Sequence, residues 1–202
     1  MTGAGLLVLL AAAIAMTPRE ARKRPLGSHV RLEGHVTVAS GVLGELMQDN
    51  GFAVSDAITG IYVTTQERGY RSLGSEVEVT GTLEDNGHGL LVLRALTIRP
   101  QRGHRLIGPW KLEEDALSEF HEGKLVKTGG EVVRLEGGGR AGRRLTVRRA
   151  GGAEVQVLLP AAVKLNETLL TPGRAIQVTG FCAQDDRVYR LIVRTGRDIQ
   201  EP

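Results

Sequence analysis

The sequence predicts an all-β protein with short helices, built from two five-stranded barrels in tandem. The first observation is a repeated pattern, Gly-x-x-[Val/Ile]-x-Val-Thr-Gly, which occupies residues 74–81 and again residues 173–180. The second is that other matching segments keep the same order around each copy, which is the signature of one structural unit used twice. The third is a period-two alternation of apolar and polar residues, as at 76–79, which is typical of half-buried strands.

The strands can be placed along each half from the apolar runs and from the turn residues between them. In the first half they are predicted at about 29–39, 51–56, 60–66, 75–83 and 90–99. In the second half they are predicted at about 124–134, 144–149, 153–159, 174–182 and 187–195. Between the third and fourth strands of the second half, residues 161–170 predict a short helix that Pro172 and Gly173 end.

Four glycines lie within or at the ends of these strands, at Gly34, Gly81, Gly130 and Gly180. Glycine weakens a flat strand and usually marks a bulge or a tight bend, and small barrels need such bends to close. A five-stranded barrel with a helix between its third and fourth strands has the OB-fold arrangement. The sequence therefore predicts two tandem OB-fold barrels.

Several segments also resemble a known family. Residues 51–56, 60–63 and 73–81 resemble the OB domains of the tRNA-anticodon/helicase type, and residues 172–180 with 189–193 resemble the same domain again. The resemblance covers nearly all of residues 29–199. It implies tandem nucleic-acid-binding OB domains of a kind found in bacterial exported proteins and beside nucleases. These motifs report the fold more than an activity, and a fold does not by itself fix a function.

Composition divides the 202 residues into four segments. They are an apolar segment with a basic linker at 1–27, a first domain at 28–103, an acidic linker at 104–122 and a second domain at 123–202. The chain has a net charge of +3, but the first domain has six basic and nine acidic side chains, whereas the second has fourteen basic and eight acidic ones. A polyanion is therefore expected to be steered toward the second domain and repelled by the first.

The first segment contains an unbroken apolar run, Leu6 to Met16, followed by a cluster of basic residues. The run is shorter than the roughly 20 residues that a membrane-spanning helix needs, and Ala13-Ile14-Ala15 matches a signal-peptidase cleavage pattern. Export to the periplasm or the medium is therefore expected. Because the basic cluster follows the run rather than preceding it, a membrane anchor formed by residues 3–16 stays open, and a cytoplasmic location is the third alternative.

The densest basic cluster contains five arginines: Arg140, Arg143, Arg144, Arg148 and Arg149. In the OB interpretation it extends from the glycine-rich loop between the first two strands of the second barrel into its second strand. That loop and the face of strands two and three bind oligonucleotides or oligosaccharides in this fold, and guanidinium groups pair with phosphate oxygens two at a time. The cluster is predicted to contact the phosphates of single-stranded DNA or RNA. The alternative is a solvated hairpin tip that keeps the protein soluble.

Single-strand binders also need aromatic side chains on which bases stack. Tyr62 lies between Ile61 and Val63, so it should point outward if those two point into the barrel. It is predicted as a stacking residue, although it lies in the acidic domain while the arginines lie in the basic one. Acidic pairs at 84–85 and 185–186, in the loops between strands four and five, also oppose strong binding of a polyanion.

The sequence shows no catalytic, metal-binding or cofactor motif. The five histidines have no metal-ligand spacing, and Cys182 is the single cysteine, so it has no partner for an internal disulfide. No Ser-His-Asp set, Cys-His pair or zinc-protease motif stands out. The sequence therefore predicts that the protein is not an enzyme and has no cofactor.

The linker at residues 108–122 is predicted to form a short acidic amphipathic helix, which packs between the barrels or covers the basic face of the second one. The leading function is a non-enzymatic protein that binds single-stranded nucleic acid or another polyanion through the second barrel. The alternative is an exported envelope or secreted adaptor that binds a protein or a glycan and uses the barrels as a scaffold. The sequence leaves the oligomeric state open.

Overall fold

A computed structural model describes residues 14–138 and 142–202, and nearly all the regular structure there is β. The first five strands are β1 (His29–Val38), β2 (Phe52–Ser55), β3 (Gly60–Thr64), β4 (Ser75–Asp85) and β5 (Leu91–His104). The next seven are β6 (Trp110–Lys111), β7 (Leu125–Gly137), β8 (Arg143–Arg148), β9 (Glu154–Leu159), β10 (Ala175–Asp185), β11 (Val188–Ile192) and β12 (Ile199–Gln200). The short helices are α1 (Pro18–Ala21), α2 (Gly44–Met47) and 3-10 turns at Glu119–His121, Glu167–Leu170 and Gly196–Asp198.

The first five strands close into barrel 1, in the order β1-β2-β3-β5-β4. β3 and β5 run parallel, and the other neighbours are antiparallel. Strands β7 to β11 repeat that order as β7-β8-β9-β11-β10, and β10 pairs back onto β7 to close barrel 2. Two short strands extend barrel 2, because β6 pairs with β7 and β12 with β10. The prediction of an all-β fold with two five-stranded barrels is confirmed, and both barrels have the OB strand order.

Both copies of the repeated pattern have the same local structure. Each begins with a glycine at positive φ, Gly74 (+83°) and Gly173 (+86°), a backbone conformation that other residues rarely adopt. The amide of Gly74 donates to the Val36 carbonyl and that of Gly173 to the Val132 carbonyl, each at 2.8 Å. These bonds fix the start of the fourth strand of each barrel against the first strand. The repeated pattern therefore records one turn and strand used twice.

The glycines predicted to bend the strands lie where two strands approach closely. A Cβ on Gly81 would come within 3.0 Å of the Arg94 carbonyl oxygen, and a Cβ on Gly130 would meet the Arg148 carbonyl oxygen in the same way. The pairing of β4 with β5 also shifts register next to Gly81. Gly81 therefore marks a bulge, whereas Gly130 is needed for close approach of the strands.

The helix predicted at residues 161–170 is wrong for most of its length. Only Glu167–Leu170 turns, as a 3-10 helix, and the Asn166 side chain accepts a hydrogen bond from the Thr168 amide at its start. Val163 and Leu165 instead pack against the core of barrel 2. This packing outweighs the local helix propensity, which differs among ordinary residues by less than about 1 kcal/mol each.

The helix predicted at residues 108–122 is also wrong. Trp110–Lys111 forms β6, parallel to the start of β7, and one 3-10 turn follows at Glu119–His121. Leu112 is buried in the core of barrel 2, and its amide donates to the Lys127 carbonyl at 2.9 Å. The edge of β7 gives this segment backbone partners and a buried side chain, whereas a short isolated helix is marginal in water.

Residues 16–24, predicted as part of a basic linker, pack on barrel 1 instead. Met16 pairs in parallel with Leu32 of β1, and Ala21 of α1 is fully buried in the core of barrel 1. Residues 1–13, which contain most of the predicted signal segment, lie outside the described residues. Among the residues that are described, no helix is long and apolar enough to cross a membrane.

The two barrels pack against each other through a third apolar cluster, separate from their two cores. Barrel 1 contributes Ala53 and Tyr62 from the outer face of β2 and β3, and barrel 2 contributes Phe181, Ala183 and Ile192. The rings of Tyr62 and Phe181 lie 6.4 Å apart between centroids. Barrel 2 therefore covers the face of barrel 1 that OB folds use to hold ligands.

Candidate nucleic-acid interface

Tyr62 is not available for stacking, so its prediction as a nucleic-acid contact is wrong. The side chain points out of barrel 1, as its alternation with Ile61 and Val63 predicts, but it is 0% exposed because barrel 2 covers it. Its hydroxyl donates to Oδ1 of Asp49 at 2.7 Å, and burial raises the pKa of the hydroxyl well above its usual value. Alternation places a residue outside a barrel, but the residue is exposed only if nothing docks on that face.

The docking of the barrels involves an ion pair that the sequence analysis missed. Arg22, just after α1, donates to the Glu122 carboxylate at 2.8 Å and to the Gly60 carbonyl at 3.3 Å. The Glu122 side chain is only 1% exposed and also accepts from the Leu91 amide at 3.3 Å. Burial raises the pKa of Glu122, while its hydrogen bond with Arg22 lowers it. The sequence shows that the segment around Arg22 is basic and that the linker is acidic. It does not show that these two segments contact each other, so the ion pair could not be predicted from it.

The arginine cluster of barrel 2 does not form one free basic surface. Arg143 makes two hydrogen bonds with the Glu167 carboxylate, at 2.6 and 2.7 Å, and they lower the pKa of Glu167. Arg148 donates to Glu154, its cross-strand neighbour on β9, at 3.0 Å. The two carboxylate side chains are 64% and 37% exposed, so water and salt reach both pairs. Arg140 lies outside the described residues.

Arg149 is held by the linker and is not free to contact phosphate, contrary to the prediction. Its guanidinium donates to the backbone carbonyl of Leu112 at 2.7 Å and to that of Glu114. Both acceptors belong to the acidic linker, which therefore lies against the end of β8. The linker therefore occupies one arginine at the end of the basic face, while its contacts with Arg22 and Ala57 of the barrel 1 half correspond to the packing between the barrels that its sequence also predicts.

Arg144 is the arginine of the cluster that has no partner in the described part of the chain. It is exposed on β8, opposite Glu136 of β7 and Leu158 of β9. Glu136 is instead bound by Arg134 at 3.1 Å. The guanidinium of Arg144 is therefore free to meet an anion.

A groove on barrel 1 beside the inter-barrel contact is acidic. Its volume is about 500 Å³, and its lining includes Asp49, Glu84 and Asp85. Arg94 also lines it, but its guanidinium is bound to Glu84 at 2.7 Å. Carboxylates are therefore in excess, and a polyanion is disfavoured in this groove.

His88, Asp185 and Asp186 are the one group, within residues 14–138 and 142–202, whose side chains could together hold a metal ion. His88 Nδ1 lies 2.9 Å from Oδ1 of Asp186, and this hydrogen bond raises the pKa of His88. Asp185 is already bound by Arg190. All three metal-ligand candidates are exposed. The contact joins the loop after β4 to the loop after β10, and we interpret it as a surface link between the barrels.

The linker carries an exposed aromatic surface that the sequence analysis missed. Trp110 and Phe120 are 39% and 54% exposed, and their rings meet edge to face with centroids 5.8 Å apart. The ammonium group of Lys124 lies over both rings. The two aromatic residues are about ten positions apart in the sequence, and the extended β6 and the 3-10 turn that follows it bring their rings together.

No protein-family model matches the chain, and neither does any curated protein sequence. Solved structures resemble it at low identity, and two of them serve as examples. One, described as "Molecular basis for abrogation of activation of pro-inflammatory cytokines", is 9% identical over 87% of this chain and 93% of that chain, with a TM-score of 0.39. The other, "Crystal structure of p204 HINb domain", is 11% identical over 83% of this chain and 93% of that chain, with a TM-score of 0.36. Likenesses this weak say nothing about what this chain binds.

Proposed function

We propose that this protein is a binding protein rather than an enzyme, and that it holds single-stranded nucleic acid, or a polyanion of similar charge, on the outer face of barrel 2. The observation that carries the proposal is Arg144, exposed on the second strand of an OB barrel and without a carboxylate partner among the described residues. In this fold, strands two and three and the loop between strands one and two hold oligonucleotides. The proposal requires no metal or cofactor. Membership in the tRNA-anticodon/helicase type of OB domain stays a prediction.

Two neighbouring arginines support that surface. Arg143 and Arg148 are paired with carboxylates, but exposed pairs contribute only about 0–1 kcal/mol each. A phosphate can therefore replace a carboxylate at small cost, and a guanidinium binds two phosphate oxygens at once. Barrel 1 offers no equivalent surface, because its strand face is buried under barrel 2 and its groove is acidic.

Arg144→Ala is expected to weaken the binding of a labelled single-stranded oligonucleotide about tenfold at low salt, because one charge-assisted contact contributes about 1.5 kcal/mol. The slope of log affinity against log salt should also fall by about 0.7 for the phosphate contact that is lost. Fluorescence anisotropy at low and moderate salt measures both quantities. The full chain is required, because a truncation at residue 25 would remove Ala21 from the core of barrel 1 and Arg22 from its ion pair.

Arg102→Ala is the matched control, since Arg102 is an exposed arginine on β5 of barrel 1 without a partner in the described part of the chain. Both variants remove one positive charge from the protein. Equal loss of affinity in the two variants would show that diffuse charge, rather than the β8 surface, attracts the oligonucleotide. No binding at low salt would remove nucleic acid as the ligand and favour the alternative of an adaptor for a protein or a glycan.

We also propose that the protein is exported. The cleavage pattern Ala13-Ile14-Ala15 stands immediately before Met16, which is the first described residue to pair with barrel 1. Cleavage after Ala15 would therefore leave the packing of residues 16–24 intact. The mass of the protein recovered from its native host is expected to match a chain that begins at Met16, and a mass that includes residues 1–15 would contradict this proposal.

A further inference from the structure

We infer that the linker carries a second nucleic-acid contact, in which a base stacks on Trp110 or Phe120 and a phosphate binds the ammonium group of Lys124. The inference rests on the proposed function, because it extends the strand held on barrel 2 onto the linker. The two rings supply a surface for base stacking. The arginines of barrel 2 do not offer one, and Tyr62 is buried.

The two rings are held in fixed positions with part of their surface open. Trp110 donates from Nε1 to the Ala57 carbonyl at 3.2 Å, which fixes the indole between the linker and the turn after β2. The Phe120 ring and the indole meet edge to face, with an interplanar angle of 88°. Aromatic side chains on which bases stack are the second requirement of a single-strand binder, and stacking tolerates any base.

Lys124 supplies the charge beside the rings. The residue is 95% buried, being only 5% exposed, and its Nζ lies 3.2 Å from the Phe120 centroid and 4.4 Å from the Trp110 centroid. An ammonium group has three donors, yet Nζ makes no hydrogen bond to any residue that the structure describes. Contact with the ring faces compensates for part of the lost hydration. Although most of the side chain is buried, Nζ itself still reaches solvent, so its free donors are open to an anionic ligand at the edge of the rings.

A pair of lysines adds positive charge on the outer face of barrel 2, on the other side of the strands from Trp110, which lies opposite the buried Val126. Lys111 of β6 lies directly opposite Lys127 of β7 in the pairing of these parallel strands. Like charges placed opposite each other disfavour strand pairing, and neither ammonium has a carboxylate partner in the ranges 14–138 and 142–202. A phosphate between them would remove the repulsion.

Three acidic residues of the linker are already engaged. Glu122 and Glu119 are bound by Arg22 at 2.8 and 3.3 Å, and Glu114 accepts from His121 at 3.2 Å. Flat ring faces beside ammonium groups fit a chain that alternates bases with phosphates. An acidic peptide would match the charge but would leave the rings without flat partners.

The linker surface and the Arg144 surface lie along the same edge of one strand. β10 occupies one edge of β7, while β6 and then β8 occupy the other. The distance from Lys127 to Glu136, which lies opposite Arg144, is at most about 30 Å along an extended strand. OB domains bind about 4–16 nucleotides, so one strand of nucleic acid can contact both surfaces.

Trp110 is the only tryptophan of the chain, so tryptophan emission, excited at a wavelength that tyrosine does not absorb, reports on this surface alone. The full chain is titrated with an unlabelled single-stranded oligonucleotide of about 16 nucleotides, and the midpoint is compared with that from anisotropy of the labelled oligonucleotide. The emission should be quenched with the same midpoint. Phe120→Leu and Lys124→Met should each weaken binding about tenfold. Tyr70→Ala, which removes an exposed ring from barrel 1, should leave the affinity unchanged.

The outcomes separate this inference from the proposed function. Binding that depends on Arg144 but leaves the Trp110 emission and the affinity of Phe120→Leu unchanged would overturn the linker contact and leave the proposed function standing. No binding at low salt would overturn both. Quenching by polyglutamate at a lower concentration than by the oligonucleotide would overturn nucleic acid as the ligand of the rings. If one variant does not fold, as its melting temperature would show, the other variant and the quenching of the unaltered protein still test the linker contact.

Discussion

Replacing Gly123 with alanine is expected to lower the free energy of unfolding by about 4 kcal/mol, through backbone strain and steric overlap together. Gly123 has a φ of +77°, and a Cβ there would come within 3.0 Å of the Gly60 carbonyl carbon and oxygen. Its amide donates to the Cys182 carbonyl at 2.9 Å, so the residue cannot move away without losing that bond. The barrels would have to separate locally, and urea unfolding measures the loss.

Gly41→Ala is the control that separates the two causes. Gly41 has nearly the same φ, +76°, but an added Cβ would meet no atom within 4 Å. We expect it to cost only the backbone penalty of about 1–2 kcal/mol. If Gly123→Ala lowers the free energy of unfolding no more than Gly41→Ala does, residue 123 does not lie as close to Gly60 as described.

The second large effect is expected from Arg22→Ala, which should lower the free energy of unfolding by about 3–5 kcal/mol. The change leaves the Glu122 carboxylate buried without its guanidinium partner. A matched control is Arg134→Ala, which removes half of the exposed pair with Glu136 and should cost less than about 1 kcal/mol. Urea unfolding of both variants measures the difference.

The stability deficit of Arg22→Ala, which is its loss of free energy of unfolding relative to the unaltered protein, should depend on pH. The burial of Glu122 determines the sign of this dependence. Burial already raises the pKa of Glu122 above its ordinary value of 4.5, and the loss of Arg22 raises it further. A carboxyl group with a raised folded-state pKa destabilises the fold as pH increases from 4.5 through that pKa. The deficit relative to the unaltered protein should therefore be largest near neutral pH and shrink as pH falls toward 4.5. A deficit that stays constant over this range would contradict the burial of a charged Glu122.

These two contacts also determine which surface is left for a ligand. Arg22, Gly60, Glu122 and Gly123 hold the barrels in the arrangement that buries Tyr62. Because that arrangement removes the strand face of barrel 1, the surfaces that remain for the ligand we propose are β8 of barrel 2 and the linker beside it. The opposite charges of the two domains, visible in the sequence, agree with this division of roles.

The order of strands and the class of fold could be predicted from the sequence because they depend on local patterns. Alternating apolar residues, such as Val77 and Val79, give a strand one buried face wherever it lies. The glycines at the start of the repeated pattern, Gly74 and Gly173, mark a turn at positive φ that few other residues adopt. Each of these signals lies within one or two strands of the residue it concerns.

The candidate site depended on contacts between residues that the sequence does not join. Tyr62 is buried because Phe181 of the other barrel covers it, and Arg149 is occupied because the linker turns its carbonyls toward it. The sequence by itself determined two β-barrels of opposite charge and the clustering of arginine. Only the tertiary structure decided which arginine stays free and where aromatic rings are exposed. The physical reason is that the availability of a side chain depends on which distant surface packs against it, and local alternation carries no record of that.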